Sequence, residues 1–427
     1  MKIKVQKKSY KEVCEIPKPE HKNPKVSLPL MRFLMKMLGE GDLKDTDFSY
    51  SFKGIDGFPD EPSLILMNHS SFIDLEMTAK MLYPKPYAIV CTSDGFVGKE
   101  WLMRNLGCIP TNKFVTDATL MSDISYALKT NRTHVLMYPE ASYSFDGRAT
   151  ALPRRMGVLL KLLKVPVVMI RTYGAFARDP LYNMLKKRKV KVSAEVSLLA
   201  SVDDIKAKTT DELDRILDDA FSFDNFTWQK ENGIEINEDF RADGLERILY
   251  RCPVCGAEGK TEGKGTGFCC HACGAKFELS PFGEMVSDTG EVKFPHIPDW
   301  YEWERECVKK ELSDGTYSLE CDVDILVLRD YKAVYSIGSG HLSHGVGGFR
   351  LVSDDKTLDY SQKPSACYGL YADYFWYELG DIICIGNNDM LYYCFPKKEA
   401  GVPVAKTRLA TEELYKMTRP ERRKKAE

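Results

Sequence analysis

Between residues 46 and 225, short apolar runs alternate with segments whose apolar residues recur at helical spacing. The runs predicted to be strands span residues 63–67, 87–92, 134–138 and 165–170. Segments 117–129 and 156–164 have the period of amphipathic helices, and Thr209 opens a capped helix that ends the region near residue 225. This alternation predicts an α/β domain in which helices cover a mostly parallel sheet.

The pattern changes after residue 225. Residues 281–418 are rich in Tyr, Trp, Phe, Val and Ile and contain a Gly-Asn-Asn-Asp turn, which predicts a β-rich domain ending in a helix at 411–417. A small barrel or sandwich of pleckstrin-homology-like type is one interpretation. The predicted organisation is an N-terminal extension at 1–45, the α/β domain at 46–225, a linker and cysteine-rich segment at 226–280, the β-rich domain at 281–418 and a charged tail at 419–427.

Residues 27–39 read as one short helix within the N-terminal extension. Ser27 can cap this helix and Gly39 can end it. It is otherwise apolar apart from Arg32 and Lys36, which lie four residues apart on one face. Two interpretations stay open, a helix lying in a lipid interface or a helix packed on the neighbouring domain, because periodicity does not distinguish them.

Charge and cysteine content narrow the class of protein. The formal net charge of −2 offers no overall attraction to nucleic acid, and no nucleic-acid partner is expected. Thirteen cysteines in a chain whose start has no apolar signal segment indicate a reducing, cytoplasmic setting. No apolar run reaches the roughly 18 residues that span a bilayer, so we expect peripheral attachment at the inner face of the cell membrane.

His69 and Asp74 are the candidate catalytic residues. They lie at the end of a predicted strand and in the first turn of the next helix, at the edge where open α/β sheets bind ligands. On one continuous helix they would point about 140° apart, so contact requires a break, which Ser70-Ser71 can supply. Asp74 would then hold one imidazole nitrogen and leave the other free to take a proton. The structural alternative is that Asp74 only neutralises amide groups at the helix start.

This spacing of His69 and Asp74 after a strand resembles the glycerolipid acyltransferase superfamily, which includes the lysophosphatidic acid acyltransferases. The family's second block, a glycine, an apolar pair and a closing basic residue, corresponds loosely to Gly107 through Lys113. Its apolar strand containing a proline corresponds to residues 165–170. The resemblance covers residues 28–225 and leaves the rest of the chain unexplained.

The family's third block reads aromatic, Pro, Glu, Gly, Thr, Arg, and here it is Tyr138-Pro-Glu-Ala-Ser-Tyr143. Ala141 stands where the family has glycine, and Tyr143 stands where it has arginine. A phenol lacks the bidentate charged grip of guanidinium on phosphate. Arg148, Arg154 and Arg155 are the candidates to replace it.

The resemblance implies acyl transfer. His69 would deprotonate the hydroxyl of a lysophospholipid, 1-acylglycerol 3-phosphate first of all, which attacks the thioester of acyl-CoA or acyl carrier protein, while Asp74 orients the imidazole. Lys113 would hold the phosphate, and the turn Glu140-Ala141-Ser142 would shape the acceptor site. Glycerol 3-phosphate or another acceptor is an alternative, as is a non-catalytic lipid- or protein-binding module on the same fold.

The expected partners are a membrane lipid surface and an acidic acyl carrier protein. The basic run at 186–191 is a candidate contact for either partner. The alternative interpretation of such a run is a solvated protein surface with no partner.

Two Cys-x-x-Cys-Gly knuckles separated by fourteen residues predict a zinc ribbon. Four thiolates at this spacing close around a zinc ion, and the ion is expected to be structural because no coordination position stays open for substrate. Cys269 and His271 are possible alternative ligands. The predicted ligands are Cys252, Cys255, Cys270 and Cys273.

Overall fold

The computed structural model of the chain describes residues 3–115, 117–153, 155–288, 290–397 and 404–418. Arg154 and the predicted charged tail at 419–427 lie outside the described residues. The first elements in chain order are β1 (Val5–Lys7), α1 (Tyr10–Glu15) and α2 (Pro29–Asp45).

The α/β region follows. Its elements are β2 (Ser49–Lys53), β3 (Leu64–Met67), α3 (Ile73–Leu82), β4 (Tyr87–Thr92), α4 (Glu100–Asn105), β5 (Cys108–Thr111), α5 (Ala118–Lys129), β6 (His134–Met137), α6 (Met156–Leu163), β7 (Val167–Tyr173), α7 (Ala175–Arg178), β8 (Ser193–Ala200), α8 (Val202–Ala207), α9 (Thr210–Phe221) and α10 (Asn225–Glu231). The seven strands form one sheet in the order β2-β8-β7-β3-β6-β4-β5. All neighbours are parallel except β7 and β8.

Strand β3 explains why the apolar runs identify this sheet. Leu64 and Leu66 point into a core shared with α5, α6 and α9, whereas Ile65 and Met67 point into a core on the opposite face shared with α2 and α3. A strand covered on both faces is apolar at every position rather than at alternate ones. The predicted fold class, helices on a mostly parallel sheet, is confirmed.

Helix α2 differs from its prediction at both ends. Leu28 rather than Ser27 is the N-cap residue, and the helix continues past Gly39 to Asp45. A Cβ atom on Gly39 would lie 2.8 Å from the Cβ atom of Glu76, so this glycine permits close packing of α2 on α3 instead of ending the helix. Arg32 donates to the main-chain oxygen and hydroxyl of Ser27 rather than facing outward.

The cysteine-rich segment and the β-rich region complete the chain. Their elements are β9 (Thr261–Lys264), β10 (Gly267–Cys270), β11 (Lys276–Leu279), β12 (Met285–Val286), α11 (Ile297–Asp314), β13 (Leu319–Leu328), β14 (Val334–Gly345), β15 (Gly348–Ser353), β16 (Asp359–Gln362), β17 (Tyr371–Trp376), β18 (Gly380–Gly386), β19 (Leu391–Pro396) and α12 (Val404–Thr418). Strands β9–β12 form a small antiparallel sheet. The C-terminal sheet has the order β16-β15-β14-β13-β19-β18-β17, and β1 adds to it parallel to β14. A β-rich region ending in a helix is therefore confirmed, whereas the pleckstrin-homology-like interpretation and the domain boundaries stay predictions.

One hydrophobic core joins these C-terminal parts to the α/β region. It includes Phe268 of the small sheet, Trp300 of α11, Val323 of β13 and Leu409 of α12, together with Phe145 from the loop after β6. The C-terminal module, which we define as residues 281–418, therefore packs against the loops that follow the central strands. Within the described part of the chain, no helix has the length and apolar character needed to cross a membrane.

Candidate active site

His69 and Asp74 meet at the carboxyl end of β3. A short non-helical segment follows β3, and α3 begins only at Ile73. The side chains of His69 and Asp74 therefore converge. His69 Nδ1 lies 3.0 Å from Asp74 Oδ2. The same carboxylate oxygen accepts the backbone N–H groups of Ser70 at 2.7 Å and Ser71 at 3.1 Å. Both interpretations of Asp74 thus describe one arrangement, in which it holds the imidazole and also neutralises the start of the helix.

The His69 imidazole lies between two tyrosine rings. Its ring centroid is 4.0 Å from that of Tyr138, in a stacked arrangement, and 4.4 Å from that of Tyr143. Only 19 % of the side chain is exposed, and this burial lowers the pKa of His69 against the opposing effect of Asp74. A neutral imidazole is the form that accepts a proton. Nε2 makes no hydrogen bond to any residue of the described ranges, so it is the nitrogen left for a substrate.

Glu140 braces the main chain of His69. Its Oε1 accepts the N–H of His69 at 2.9 Å, and its Oε2 accepts the N–H of Thr150 at 2.8 Å. The carboxyl group is 1 % exposed, and burial raises the pKa of Glu140 to about 8. Both oxygens therefore face backbone amides, and the predicted contact of Glu140 with an acceptor stays a prediction.

The turn after Glu140 has the geometry that a glycine favours. Ala141 adopts φ +57°, a left-handed conformation that L residues other than glycine rarely take. The buried Ser142 hydroxyl lies 3.5 Å from the hydroxyl of Thr150, so it faces the loop interior. The roles of Ala141 and Ser142 in shaping an acceptor site stay predictions.

Lys113 follows β5 at the same edge of the sheet and is covered by the C-terminal module. Its Nζ lies 4.1 Å from the ring centroid of Tyr371. Burial lowers the pKa of Lys113, while the carboxyl groups of Asp94 and Asp373 oppose that effect. The charge of this ammonium group also contributes to lowering the pKa of His69, after the larger effect of burial.

Asp94 anchors the C-terminal module at this edge, and sequence reasoning missed it. Its Oδ2 accepts hydrogen bonds from the Tyr371 hydroxyl at 3.0 Å, the Trp376 indole N–H at 3.1 Å and the Tyr393 hydroxyl at 3.1 Å. These three aromatic residues of β17 and β19 are therefore both buried and hydrogen-bonded. No local sequence signal pairs a carboxylate after β4 with rings almost 300 residues later.

The arginines proposed to replace the one missing at Tyr143 lie elsewhere. Arg148 donates to Asp224 at 3.0 Å and to Asp299 at 2.7 Å, so its charge is already paired. Arg155 is exposed at the start of α6, and Arg154 lies outside the described residues. Arg408 of α12 does reach this region, where it donates to the Thr150 hydroxyl at 2.8 Å.

The basic run at 186–191 is largely neutralised within the chain. Lys186 pairs with Asp243 at 2.8 Å, Lys187 contacts Asp42, and Lys191 contacts Asp47 at 2.6 Å. This pairing agrees with the interpretation of the run as a protein surface. An acyl carrier protein partner stays a prediction.

Four cysteines converge in the ribbon segment. Cys252 Sγ lies 3.8 Å from Cys273 Sγ, and Cys255 Sγ lies 3.8 Å from Cys270 Sγ. Four sulfurs around a tetrahedral ion with metal–sulfur distances of about 2.3 Å lie about 3.8 Å apart, so the cluster fits a metal ion. Cys269 and His271 belong to a separate, more exposed group with Glu262 and do not join the four.

Comparison with known proteins gives a family match for part of the α/β region. Residues 49–171 match the family model described as Acyltransferase. A search of curated proteins gives no significant match. Among solved structures, the chain is similar to the 1-acyl-sn-glycerophosphate (LPA) acyltransferase PlsC from Thermotoga maritima, with 16 % sequence identity over 44 % of this chain and 76 % of that chain and a TM-score of 0.36. The family match includes His69, Asp74, Lys113 and the turn at 140–142, and it ends before the cysteine cluster.

Proposed function

Since residues 49–171 form an acyltransferase-family domain, we propose that this protein transfers a fatty acyl group from acyl-CoA or acyl carrier protein to the hydroxyl of a lysophospholipid, with 1-acylglycerol 3-phosphate as the first acceptor to test. The observation that carries the proposal is the pair formed by His69 and Asp74 at the carboxyl edge of the sheet. One imidazole nitrogen is held by a buried carboxylate, and the other is left for the substrate.

The reaction follows from this geometry. His69 Nε2 takes the proton of the acceptor hydroxyl while the oxygen attacks the thioester carbonyl carbon, and Asp74 stabilises the resulting imidazolium. The carbon–sulfur bond then breaks, and the thiolate leaves with the proton that the imidazolium returns. The products are the ester and the free thiol, and no nucleophile of the enzyme is consumed.

Lys113 is proposed to hold the acceptor phosphate. Its ammonium group is near enough to His69 to lower the pKa of the imidazole, and an anionic acceptor bound between them places its hydroxyl beside the base. The carboxyl groups of Asp94 and Asp373 favour the charged form of Lys113, the form that binds a phosphate.

Helix α2 is proposed to bring the site to a lipid surface, at the inner face of the cell membrane. It packs on α3 through its C-terminal half, and an apolar face on the remainder stays exposed. The side chains of this face are 41 to 82 % exposed: Leu30, Phe33, Leu34, Met37 and Leu38. Apolar side chains at helical spacing on the outside of a protein suit the boundary between head groups and acyl chains.

We further propose that the cysteine cluster holds a structural zinc ion. Cys252, Cys255, Cys270 and Cys273 would supply four thiolates, the ligand set that zinc prefers in closed sites. Such an ion would fix the ribbon and take no part in acyl transfer.

Replacement of His69 by alanine tests the proposed function. Purified His69→Ala protein is expected to transfer acyl groups from acyl-CoA to 1-acylglycerol 3-phosphate about 100- to 10,000-fold more slowly than wild type, while its fold, measured by circular dichroism, stays intact. His341→Ala is the matched control, because His341 is also paired with carboxylates, Asp322 and Glu320, but lies in the C-terminal module. Near wild-type turnover by His69→Ala contradicts the proposal. A wild-type protein that binds lysolipid without turnover supports the non-catalytic alternative.

A further inference from the structure

We propose that the C-terminal helix α12 is part of the acyl-transfer site, with Arg408 as a positioning residue that holds Glu140 and, through Glu140, the main chain of His69. This inference rests on the proposed function for its kinetic consequences. It adds that residues 49–171 do not form a complete site without the C-terminal module.

A continuous chain of hydrogen bonds carries the inference. Arg408 Nη2 donates to Thr150 Oγ1 at 2.8 Å, across 258 residues of sequence. The N–H of Thr150 donates to Glu140 Oε2 at 2.8 Å, and the N–H of His69 donates to Glu140 Oε1 at 2.9 Å. Three contacts therefore join the C-terminal helix to the residue that carries the proposed base.

Burial makes this chain stiff. Arg408 is 4 % exposed, Thr150 is 7 % exposed and Glu140 is 1 % exposed. The guanidinium carbon lies 3.9 Å from the ring centroid of Phe145, and Nε donates to Glu412 at 3.1 Å. Rings and ion pairs that fix a guanidinium leave it little freedom, so Arg408 holds the Thr150 hydroxyl in a defined position.

Arg408 is not needed simply to hold α12 against the rest of the protein. Its Nη1 is buried and has no hydrogen-bond partner within the described ranges, an arrangement that is costly for a cation. Arg305 of α11 already ties α12 down through Glu412 at 2.7 Å and Glu413 at 3.0 Å. Because α12 is already held by Arg305, a buried cation on this helix with a nitrogen unpaired among the described residues points to a role for its electrostatic effect.

That effect falls on Glu140. Burial is the largest influence and raises the pKa of Glu140, and the nearby Asp74 raises it further, whereas the two backbone amides and the charge of Arg408 lower it. An ionised carboxylate accepts both amides, but a protonated one turns an O–H toward one of them. Arg408 thus favours the form of Glu140 that keeps the loop beside His69 in place.

The C-terminal module contacts the other side of the site as well. Tyr371 bonds to Asp94 and stacks its ring against Lys113. The sulfur of Cys367 contacts the main-chain oxygen of Phe114, the residue after Lys113, at 3.1 Å. One module therefore holds three separate segments of the sheet edge, after β4, after β5 and after β6.

The test uses the full-length protein with Arg408→Gln, Arg408→Lys and, as the matched control, Arg305→Gln. Arg408→Gln is expected to lower kcat about 10- to 100-fold with little change in the KM for either substrate, as for other residues that orient a functional group. The acid limb of the pH–rate profile is expected to move to higher pH, and Arg408→Lys to restore that limb. Arg305→Gln is expected to lower the unfolding temperature without moving the limb.

Thr150→Val tests the same contact in case the arginine variants misfold. It breaks the link to Arg408 while preserving every charge and the N–H that binds Glu140, and a smaller loss of kcat in the same direction is expected. Equal losses in Arg408→Gln and Arg305→Gln that follow the loss of stability overturn the inference. Wild-type kinetics in both Arg408→Gln and Thr150→Val overturn it as well.

A readout independent of turnover separates this inference from the proposed function. The ¹⁵N–¹H signal of the His69 amide, which donates to Glu140, should titrate at higher pH in Arg408→Gln than in wild type. That shift in a protein without acyl transfer refutes the proposed function but supports the positioning of Glu140 and the His69 main chain by Arg408. An unchanged titration in a protein that does transfer acyl groups overturns the inference alone.

Discussion

The cysteine cluster and the His69 site are assembled from the chain in opposite ways. All four cysteines lie within residues 252–273, and each knuckle is closed by the same backbone bond, Gly256 N–H to Cys252 oxygen at 2.9 Å and Gly274 N–H to Cys270 oxygen at 2.8 Å. The His69 site instead gathers residues from the ends of several strands and from α12. A local site is specified by spacing alone, whereas a dispersed site depends on the packing of the whole molecule.

Asp74→Asn is expected to give the largest difference between the two regions, because it should affect acyl transfer and leave the cysteine cluster unchanged. The Asp74 carboxylate orients the imidazole and stabilises its protonated form. Its loss is expected to slow acyl transfer about 100- to 10,000-fold. The metal content of the purified protein, measured by atomic emission, should not change, because the cysteine cluster is far from Asp74 in sequence and shares no contact with it among the described residues. A variant that keeps its rate would show that Asp74 serves only the helix start.

The converse experiment replaces a ligand of the cluster. Cys255→Ser is expected to reduce bound zinc from about one ion per chain to a small fraction, because a hydroxyl does not replace a thiolate in a closed tetrahedral site. The unfolding temperature should fall with it. Cys269→Ser is the control, since this neighbouring sulfur lies outside the four. Equal metal loss in both variants would reassign the ligands.

A pair of glycine substitutions compares the rigidity of the two regions. Gly147, in the loop beside the active site, has φ +91°, and a Cβ there would lie 2.8 Å from the ring of Phe226. Gly256, in the first knuckle, has φ +76° but no atom within 4 Å of such a Cβ. Gly147→Ala is therefore expected to lower the free energy of unfolding by about 2–3 kcal/mol and Gly256→Ala by about 1 kcal/mol, measured by denaturant titration of the metal-loaded protein. Equal losses would mean that backbone strain alone determines both.

The smallest effect is a change in the pKa of His69, measured by NMR of the imidazole. Burial lowers this pKa below its usual value, and the Asp74 carboxylate partly offsets the decrease. Asp74→Asn should therefore lower the pKa further, because the neutral amide no longer stabilises the imidazolium. In the folded variant, His69 then takes up a proton only at a more acidic pH than in the unfolded chain. The free energy of unfolding therefore decreases as the pH falls below the usual pKa of histidine. A higher pKa in the variant would contradict this account. The unsubstituted histidine His134, whose pKa burial lowers to about 4, serves as an internal reference.

The same contrast explains what the sequence could predict. Strand β4 was predicted with its observed bounds, Tyr87–Thr92, because its residues form a short apolar run, whose first three residues are buried in the structure. The four cysteines were found because the spacing of two Cys-x-x-Cys pairs in the sequence is typical of a four-sulfur metal site. The far end of α2 was missed, since Gly39 serves a close contact with Glu76 that no local pattern records. Arg408 was missed for the same reason, because its partner Thr150 lies 258 residues away in the sequence.

Strand β1 has a consequence for how the protein is made. Residues 5–7 pair with Val334 through Ser336, and the Tyr10 hydroxyl lies 3.0 Å from that of Tyr392. Residues 5–7 thus lack their strand partner until β14 has left the ribosome. At translation rates of about 5–20 residues per second, this segment waits for roughly 15–70 seconds. Residues 5–7 therefore join the C-terminal sheet only after the whole α/β region and the cysteine cluster have been synthesised.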